Sequence, residues 1–208
     1  MKVKYSWHNL SDKNKIPDET TEFSCCFCEL LDLPYLPYLL NSLYCYSNNL
    51  LKLPDLPVKL KILDCGYNKL SLLPKIPSSL EYLNSCCNKL LILPELPISL
   101  EFLNCSYNNL SELPILPDLL NKLYCSNNNI SELPTLPNLI DKIYCSNNKL
   151  SELPILPNVL KELDCENNNI KYISYENIII INKLRLLYLM NNPISTELYC
   201  YMNKSYEY

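Results

Sequence analysis

Apolar positions along this chain recur every twenty residues. Leu60, Leu80, Leu100, Leu120, Ile140 and Leu160 are each followed three places later by Leu63, Leu83, Leu103, Leu123, Ile143 and Leu163. The same phase carries Cys65, Cys105, Cys125, Cys145 and Cys165, then Asn68, Asn88, Asn108, Asn128, Asn148 and Asn168, then Leu70, Leu90, Leu110, Ile130, Leu150 and Ile170. One unit therefore reads Leu-x-x-Leu-x-Cys-x-x-Asn-x-Leu-x-x-Leu-Pro-x-Leu-Pro-x-x. A unit this short cannot bury its own apolar face, so it must stack on copies of itself as a solenoid.

Within the unit, apolar Leu63 and Cys65 alternate with Asp64 and Gly66, the period of a short strand with one buried face. Successive strands run in the same direction, so they stack as a parallel sheet at about 4.8 Å per rung. About ten rungs give a stack roughly 45 Å long. Fourteen of the 16 prolines fall in paired slots, at 34/37, 54/57, 74/77, 94/97, 114/117, 134/137 and 154/157. Each pair removes two amide donors and fixes φ, which predicts an extended, polyproline-like convex side and little helix.

Pro17, with Val3, Tyr5, His8, Leu10 and Ile16, predicts residues 1–19 as a degenerate N-terminal repeat in register with the rest. Residues 20–183 then hold eight 20-residue repeats and a longer connection, and residues 184–195 a final repeat with leucine in the cysteine slot. Residues 196–208, with Tyr199, Tyr201, Tyr206 and Tyr208, form either a partial cap or a frayed tail.

The asparagine slot has a mechanical reason. Where the chain turns inward after the strand its backbone groups lose sheet partners, and an inward carboxamide supplies both donors and acceptors. Asn48 through Asn168 are expected to form a buried ladder. His8 and Cys28 stand in this slot in the first two units, which predicts a looser N-terminal end.

The unit resembles the leucine-rich repeat, and its Leu-Pro-x-Leu-Pro ending is similar to the twenty-residue subclass of bacterial type III secreted effectors. The likeness covers nearly the whole chain; cysteine in the third core slot departs from the valine or leucine usual there. The asparagine-, isoleucine-, lysine- and tyrosine-rich composition also resembles leucine-rich repeat proteins of giant amoeba-infecting viruses of the Mimivirus kind. Some effectors of the subclass carry a ubiquitin-ligase domain after the repeats, with a catalytic Cys-x-Asp. Here about fourteen residues follow Ile194 and that motif is absent, so the activity is not carried over.

Charge adds little, because 18 basic against 22 acidic side chains leave no basic field for nucleic acid or anionic lipid. The first twenty residues lack a secretory apolar core, and the longest aliphatic run, Ile178 to Ile181, is far short of a bilayer span. The expectation is an intracellular, cytoplasmic chain, in the host cytoplasm if viral.

Twelve cysteines raise the possibility of chemistry. Cys25, Cys45, Cys65, Cys105, Cys125, Cys145 and Cys165 take the inward slot, with Ser85 the one break, and read as small buried hydrophobes kept as reduced thiols. Cys86 and Cys87 read as surface substitutions. Cys25-Cys26-Phe27-Cys28 with His8 can be drawn as a zinc site but lacks a second ligand pair, so no metal and no cofactor is expected. One histidine, one glycine and no carboxylate pair outside repeat slots leave no enzyme constellation. Ser111, Glu112, Ser131, Glu132, Ser151 and Glu152 read as a solvated edge.

Strand alternation turns the residues two, four, six and seven places after each repeat start toward the concave side. That face collects Phe27, Tyr44, Tyr46, Tyr67, Tyr82, Phe102, Tyr107, Tyr124, Tyr144 and Tyr188, interleaved with Asp64, Asn104, Lys122, Lys142, Glu162 and Asp164. Tyrosine is suited to recognition surfaces, and neighbouring rings also support a sheet. The expected function is a non-catalytic scaffold binding a partner protein there. A recognition subunit whose enzyme is another chain, and a structural or virion protein, stay open beside it.

Overall fold

Each twenty-residue unit contributes one strand and one extended return. The computed structural model describes residues 4–6 and 15–194. Its strands are β1 (Lys4–Ser6), β2 (Glu22–Ser24), β3 (Ser42–Tyr44), β4 (Ile62–Asp64), β5 (Tyr82–Asn84), β6 (Phe102–Asn104), β7 (Lys122–Tyr124), β8 (Lys142–Tyr144), β9 (Glu162–Asp164) and β10 (Leu186–Tyr188). They form one ten-stranded sheet in chain order, each strand parallel to the next. In β2 to β8 the middle residue is buried between two half-exposed neighbours, the alternation expected of a sheet with one face in the core.

The inward columns are continuous. Leu43, Leu63, Leu83, Leu103, Leu123, Ile143 and Leu163 have no exposed surface, and neither do Cys45, Cys65, Cys105, Cys125, Cys145 and Cys165 beside them. Burying each aliphatic side chain contributes about 1.5–3 kcal/mol, and the in-register stack means every rung buries its neighbour's edge. On the return side, the carbonyl of the second proline accepts from the next repeat-start amide, as from Leu60 to Pro57 at 3.0 Å and from Leu120 to Pro117 at 3.0 Å. The proline pair thus keeps the convex side extended and its second member opens the turn back to the sheet.

Two ends depart from the period. Tyr5 pairs with Phe23, and Lys4 with Glu22 eighteen places on, so the first rung does not hold the phase that Pro17 carries. His8 lies outside the described residues, as do the tail tyrosines.

At the other end a helix, α1 (Tyr175–Ile181), fills the longer connection. Ser174 and Asn177 stand where the other units have their two prolines, so the amides are restored. Ser174 caps the helix by accepting from the Asn177 amide at 3.2 Å. Asn177, fully buried, accepts from the Leu156 amide at 2.8 Å and donates to the Pro154 carbonyl at 2.9 Å, docking α1 on the preceding return. Among the described residues no helix is long and apolar enough to cross a membrane.

Cys86 corrects the reading of the Cys86-Cys87 pair as surface substitutions, because Cys86 is buried. Its slot, six places after the repeat start, is also buried in Gly66, Ser106, Ser126 and Ser146, where the chain leaves the strand and folds back over the core. The side chains buried there are small, while Tyr46 and Glu166 in the same slot stay half-exposed. A Cβ on Gly66 would stand 3.1 Å from the Cys86 sulfur, so the one glycine serves close packing and not a phosphate loop.

Candidate partner-binding face

The asparagine ladder fixes the turn that follows each strand. The Asn128 amide group donates to the carbonyls of Cys105 at 3.0 Å and Cys125 at 3.1 Å, while its oxygen accepts from the Leu110 amide at 3.0 Å. The same pattern joins Asn48, Asn68, Asn88, Asn108, Asn148 and Asn168 each to its own rung and the one before it. Asn192 closes it by accepting from Ile170 at 3.1 Å. Buried carbonyls and amides that the turn would strand are thereby paired. Such a frame holds the sheet face rigid.

On that face four rings run without a gap. Tyr82 and Phe102 stack with centroids 4.3 Å apart and planes at 8°. Phe102 meets Tyr124 at 5.4 Å, tilted by 36°, and Tyr124 stacks on Tyr144 at 5.0 Å and 18°. Tyr82 and Phe102 occupy the first position of their strands, Tyr124 and Tyr144 the last. The run therefore steps diagonally across the sheet between β6 and β7.

The run ends on an ionic junction. The Tyr144 phenol donates to Glu162 at 2.8 Å, Lys142 donates to the same carboxylate at 3.0 Å, and Arg185 joins it from beyond α1. Glu162 is almost fully buried. Lys142 above all, then Tyr144 and Arg185, hold its carboxyl down to about 2 against the desolvation that opposes them. Burial, followed by the bond to Glu162, pushes the Tyr144 phenol up to about 12. Asp64 on β4 is shifted the other way, its carboxyl raised by burial although the Gly66 amide and Asn84 both donate to it.

The remaining aromatic residues singled out from the sequence are spread along the solenoid. Phe27 and Tyr46 meet edge-on at 5.2 Å near the N-terminal end, Tyr44 ends β3, and Tyr188 ends β10. Tyr46, Tyr67 and Tyr107 lie past the strands, on the turn. Phe27, Tyr67 and Tyr107 have φ of 56°, 52° and 56° and are 70%, 59% and 58% exposed. These three are rim residues in a backbone conformation that costs a side chain with a Cβ about 1–2 kcal/mol. Asn127, Asn147, Asn167 and Asn191 fill the same slot with the residue type that tolerates it best.

The inward cysteines are placed as core. Cys65 donates to the Asn84 carbonyl at 3.4 Å and Cys105 to the Tyr124 carbonyl at 3.5 Å, and Ser85 repeats the contact at 3.4 Å in the rung where the cysteine is missing. Burial pushes the Cys125 thiol up to about 12 and those of Cys45, Cys105 and Cys145 well above the ordinary range. Around the drawn zinc site, Cys25 donates to the Tyr44 carbonyl and Cys28 to the Cys26 carbonyl, so neither is aimed at a common centre. Among the described residues no group of three metal-ligating side chains is assembled.

Sequence reasoning missed Arg185, which reaches Glu162 only because α1 lengthens that rung. It also missed an edge that changes character. The slots that hold Glu112, Glu132 and Glu152 toward the C-terminal end hold exposed Leu72 and Ile92 earlier, beside exposed Leu31, Leu51 and Leu91.

A ten-stranded parallel stack with cysteine and asparagine ladders defines a repeat solenoid built to present a surface. Three solved structures are similar to it. YopM, a leucine-rich effector protein from Yersinia pestis, is 36% identical with a TM-score of 0.77 over 85% of this chain and 50% of its own. The functional domain of InlJ from Listeria monocytogenes, which includes a cysteine ladder, is 31% identical with a TM-score of 0.74 over 83% of this chain and 40% of its own. A Shigella effector LRR domain is 31% identical with a TM-score of 0.64, over 91% of this chain and 78% of its own. The chain belongs to the leucine-rich repeat family. It spans half the length of the YopM chain and less of InlJ. No protein-family model matches it, and no curated protein does.

Proposed function

We propose that the chain is a non-catalytic scaffold that binds a partner protein on the concave, sheet side of the solenoid. The observation that carries this reading is the run of rings from Tyr82 to Tyr144, held in place by mutual stacking on a frame of paired turns. Rings already fixed lose little side-chain entropy when a partner covers them, and their area is large. The same stacking supports the sheet, so the two roles coexist. The buried ladder thiols donate as S–H groups to carbonyls, chemistry that suits a reducing compartment, and we assign the chain to the cytoplasm on that ground.

The test is a pull-down with the full chain followed by mass spectrometry, then affinity measurement on the recovered partner. Tyr124→Ala should weaken binding by at least about 2 kcal/mol, the scale of interface hot spots, while circular dichroism stays unchanged. Unchanged affinity in folded Tyr124→Ala, with loss in Glu112→Ala and Glu132→Ala, moves the binding site off the sheet.

A further inference from the structure

The centre of the sheet face holds hydrogen-bond donors without a partner among the described residues. Phe102 pairs with Lys122 and Asn104 with Tyr124 across β6 and β7, so these four side chains form a square on the open face. Asn104 accepts from the Ser106 amide at 3.1 Å through its oxygen, which turns its amide group outward without a partner among the described residues. The Tyr124 hydroxyl and the Lys122 ammonium likewise make no hydrogen bond or ion pair among the described residues. The contrast with the surroundings is sharp, for Lys142, Tyr144 and Arg185 all converge on Glu162, and Asn84 donates to Asp64.

Lys122 also stands directly beside Lys142 in the parallel register. Like charges opposite one another on a sheet are destabilising, and Glu162 relieves only Lys142. The square therefore combines one unpaired cation, two further donors and a ring edge, with no free acceptor except the phenol oxygen. That set fits one negative charge bearing two acceptor oxygens. A phosphoryl dianion would need the second cation that Glu162 already holds.

Resting on the concave-face reading, we propose that the square of Phe102, Asn104, Lys122 and Tyr124 receives an aspartate or glutamate side chain from an extended acidic segment of the partner protein. The carboxylate pairs with Lys122 and accepts from Tyr124 and Asn104, while its aliphatic stem lies on the ring edges. Carboxylates fixed in the sheet on either side, Asp64 on β4 and Asp164 with Glu166 on and after β9, repel a misplaced acid and set the register of the segment.

Short random linear peptides displayed on phage and panned against the immobilised full chain provide the probe. The native chain should enrich sequences bearing Asp or Glu. Lys122→Met, which keeps the aliphatic stem, should weaken those peptides about tenfold or more by fluorescence anisotropy, and Lys122→Glu should enrich Lys or Arg instead. Circular dichroism checks that each variant is folded. Peptides lost in Tyr124→Ala yet free of acidic residues, or indifferent to Lys122→Met, overturn the carboxylate assignment and leave the concave face standing. Peptides indifferent to both substitutions overturn the assignment and count against that face as well. A panning that enriches nothing overturns the assignment alone.

Discussion

The phenol of Tyr144 donates to the carboxylate of Glu162 at 2.8 Å, and this bond ties the aromatic run to a rung boundary where the repeat lengthens. In register, Glu162 pairs with Lys142 behind it and Leu186 ahead, with α1 lying between the two rungs in sequence. A buried carboxylate there needs strong partners, and Lys142, Tyr144 and Arg185 supply them from both sides.

The pH dependence follows from that geometry. Glu162 has its carboxyl held near 2 in the folded chain, below the ordinary 4.5. A depressed acid stabilises the fold fully above its unfolded value and loses that contribution as pH falls through the folded one. Thermal melts should therefore show a loss between about pH 4.5 and pH 2 that Glu162→Gln lacks, with the variant less stable at neutral pH. Parallel pH profiles for the two chains would refute the junction.

The asparagine ladder predicts a phase-specific cost. Asn108→Ala leaves the Leu90 amide without its partner and takes one of two asparagine donors from the carbonyls of Ser85 and Cys105, and should destabilise by about 1–3 kcal/mol. Asn109→Ala removes an exposed side chain one place out of phase and should change little. Urea titrations of both variants decide it, and equal effects would mean the ladder is wrongly assigned.

Thiol reactivity should divide the cysteines by slot. Native chain should label quickly at Cys87 and slowly at Cys86, Cys105, Cys125 and Cys145, with all reacting after denaturation. Peptide mapping after a short pulse of maleimide gives the order. Fast labelling of Cys86 would show that its slot is open, against the packing over Gly66.

What the sequence made legible was whatever the repeat states many times. The inward columns, the asparagine ladder and the extended returns each occur in phase, so a slot's environment can be inferred from several residue choices at once. Features stated once are hidden. Cys86 reads as exposed because the inward slot beside it holds Ser85 and not a cysteine, yet its own slot is buried in the rungs on either side, as Gly66 and Ser106.

The helix α1 is likewise signalled only by Ser174 and Asn177 in proline slots. The diagonal step of the ring run depends on Phe102 and Tyr124 taking different columns of adjacent strands, a relation that listing aromatic residues by face does not expose. Phe27, Tyr67 and Tyr107 satisfy the alternation rule but fall past the strand ends, where a left-handed turn and not the pleat directs the side chain.

That turn yields a prediction about strain. Tyr107 has φ of 56° and is mostly exposed, so its ring recovers little of the conformational cost. Tyr107→Asn installs the residue that neighbouring rungs use and should stabilise the chain by up to about 1 kcal/mol. A drop in stability measured by urea titration would show that the Tyr107 ring packs more than its exposure implies.

The C-terminal rung offers the last test, because one buried side chain hydrogen-bonds α1 to the preceding return, beside the core packing of Ile178, Ile180 and Ile181. Asn177 is 1% exposed, accepts from the Leu156 amide at 2.8 Å and donates to the Pro154 carbonyl at 2.9 Å. Its own amide is taken by the Ser174 cap. Asn177→Ala preserves helix propensity but strands the Leu156 amide in a buried site, at a cost of about 1–3 kcal/mol. Since contacts in a solenoid are made only between neighbouring rungs, the loosening should stay local. Hydrogen exchange should speed up in α1, β10 and the Leu153 to Leu156 return, while β5 to β7 keep their protection. Uniformly faster exchange along the whole sheet would mean that the stack unfolds as one cooperative unit and that α1 is no separable end piece.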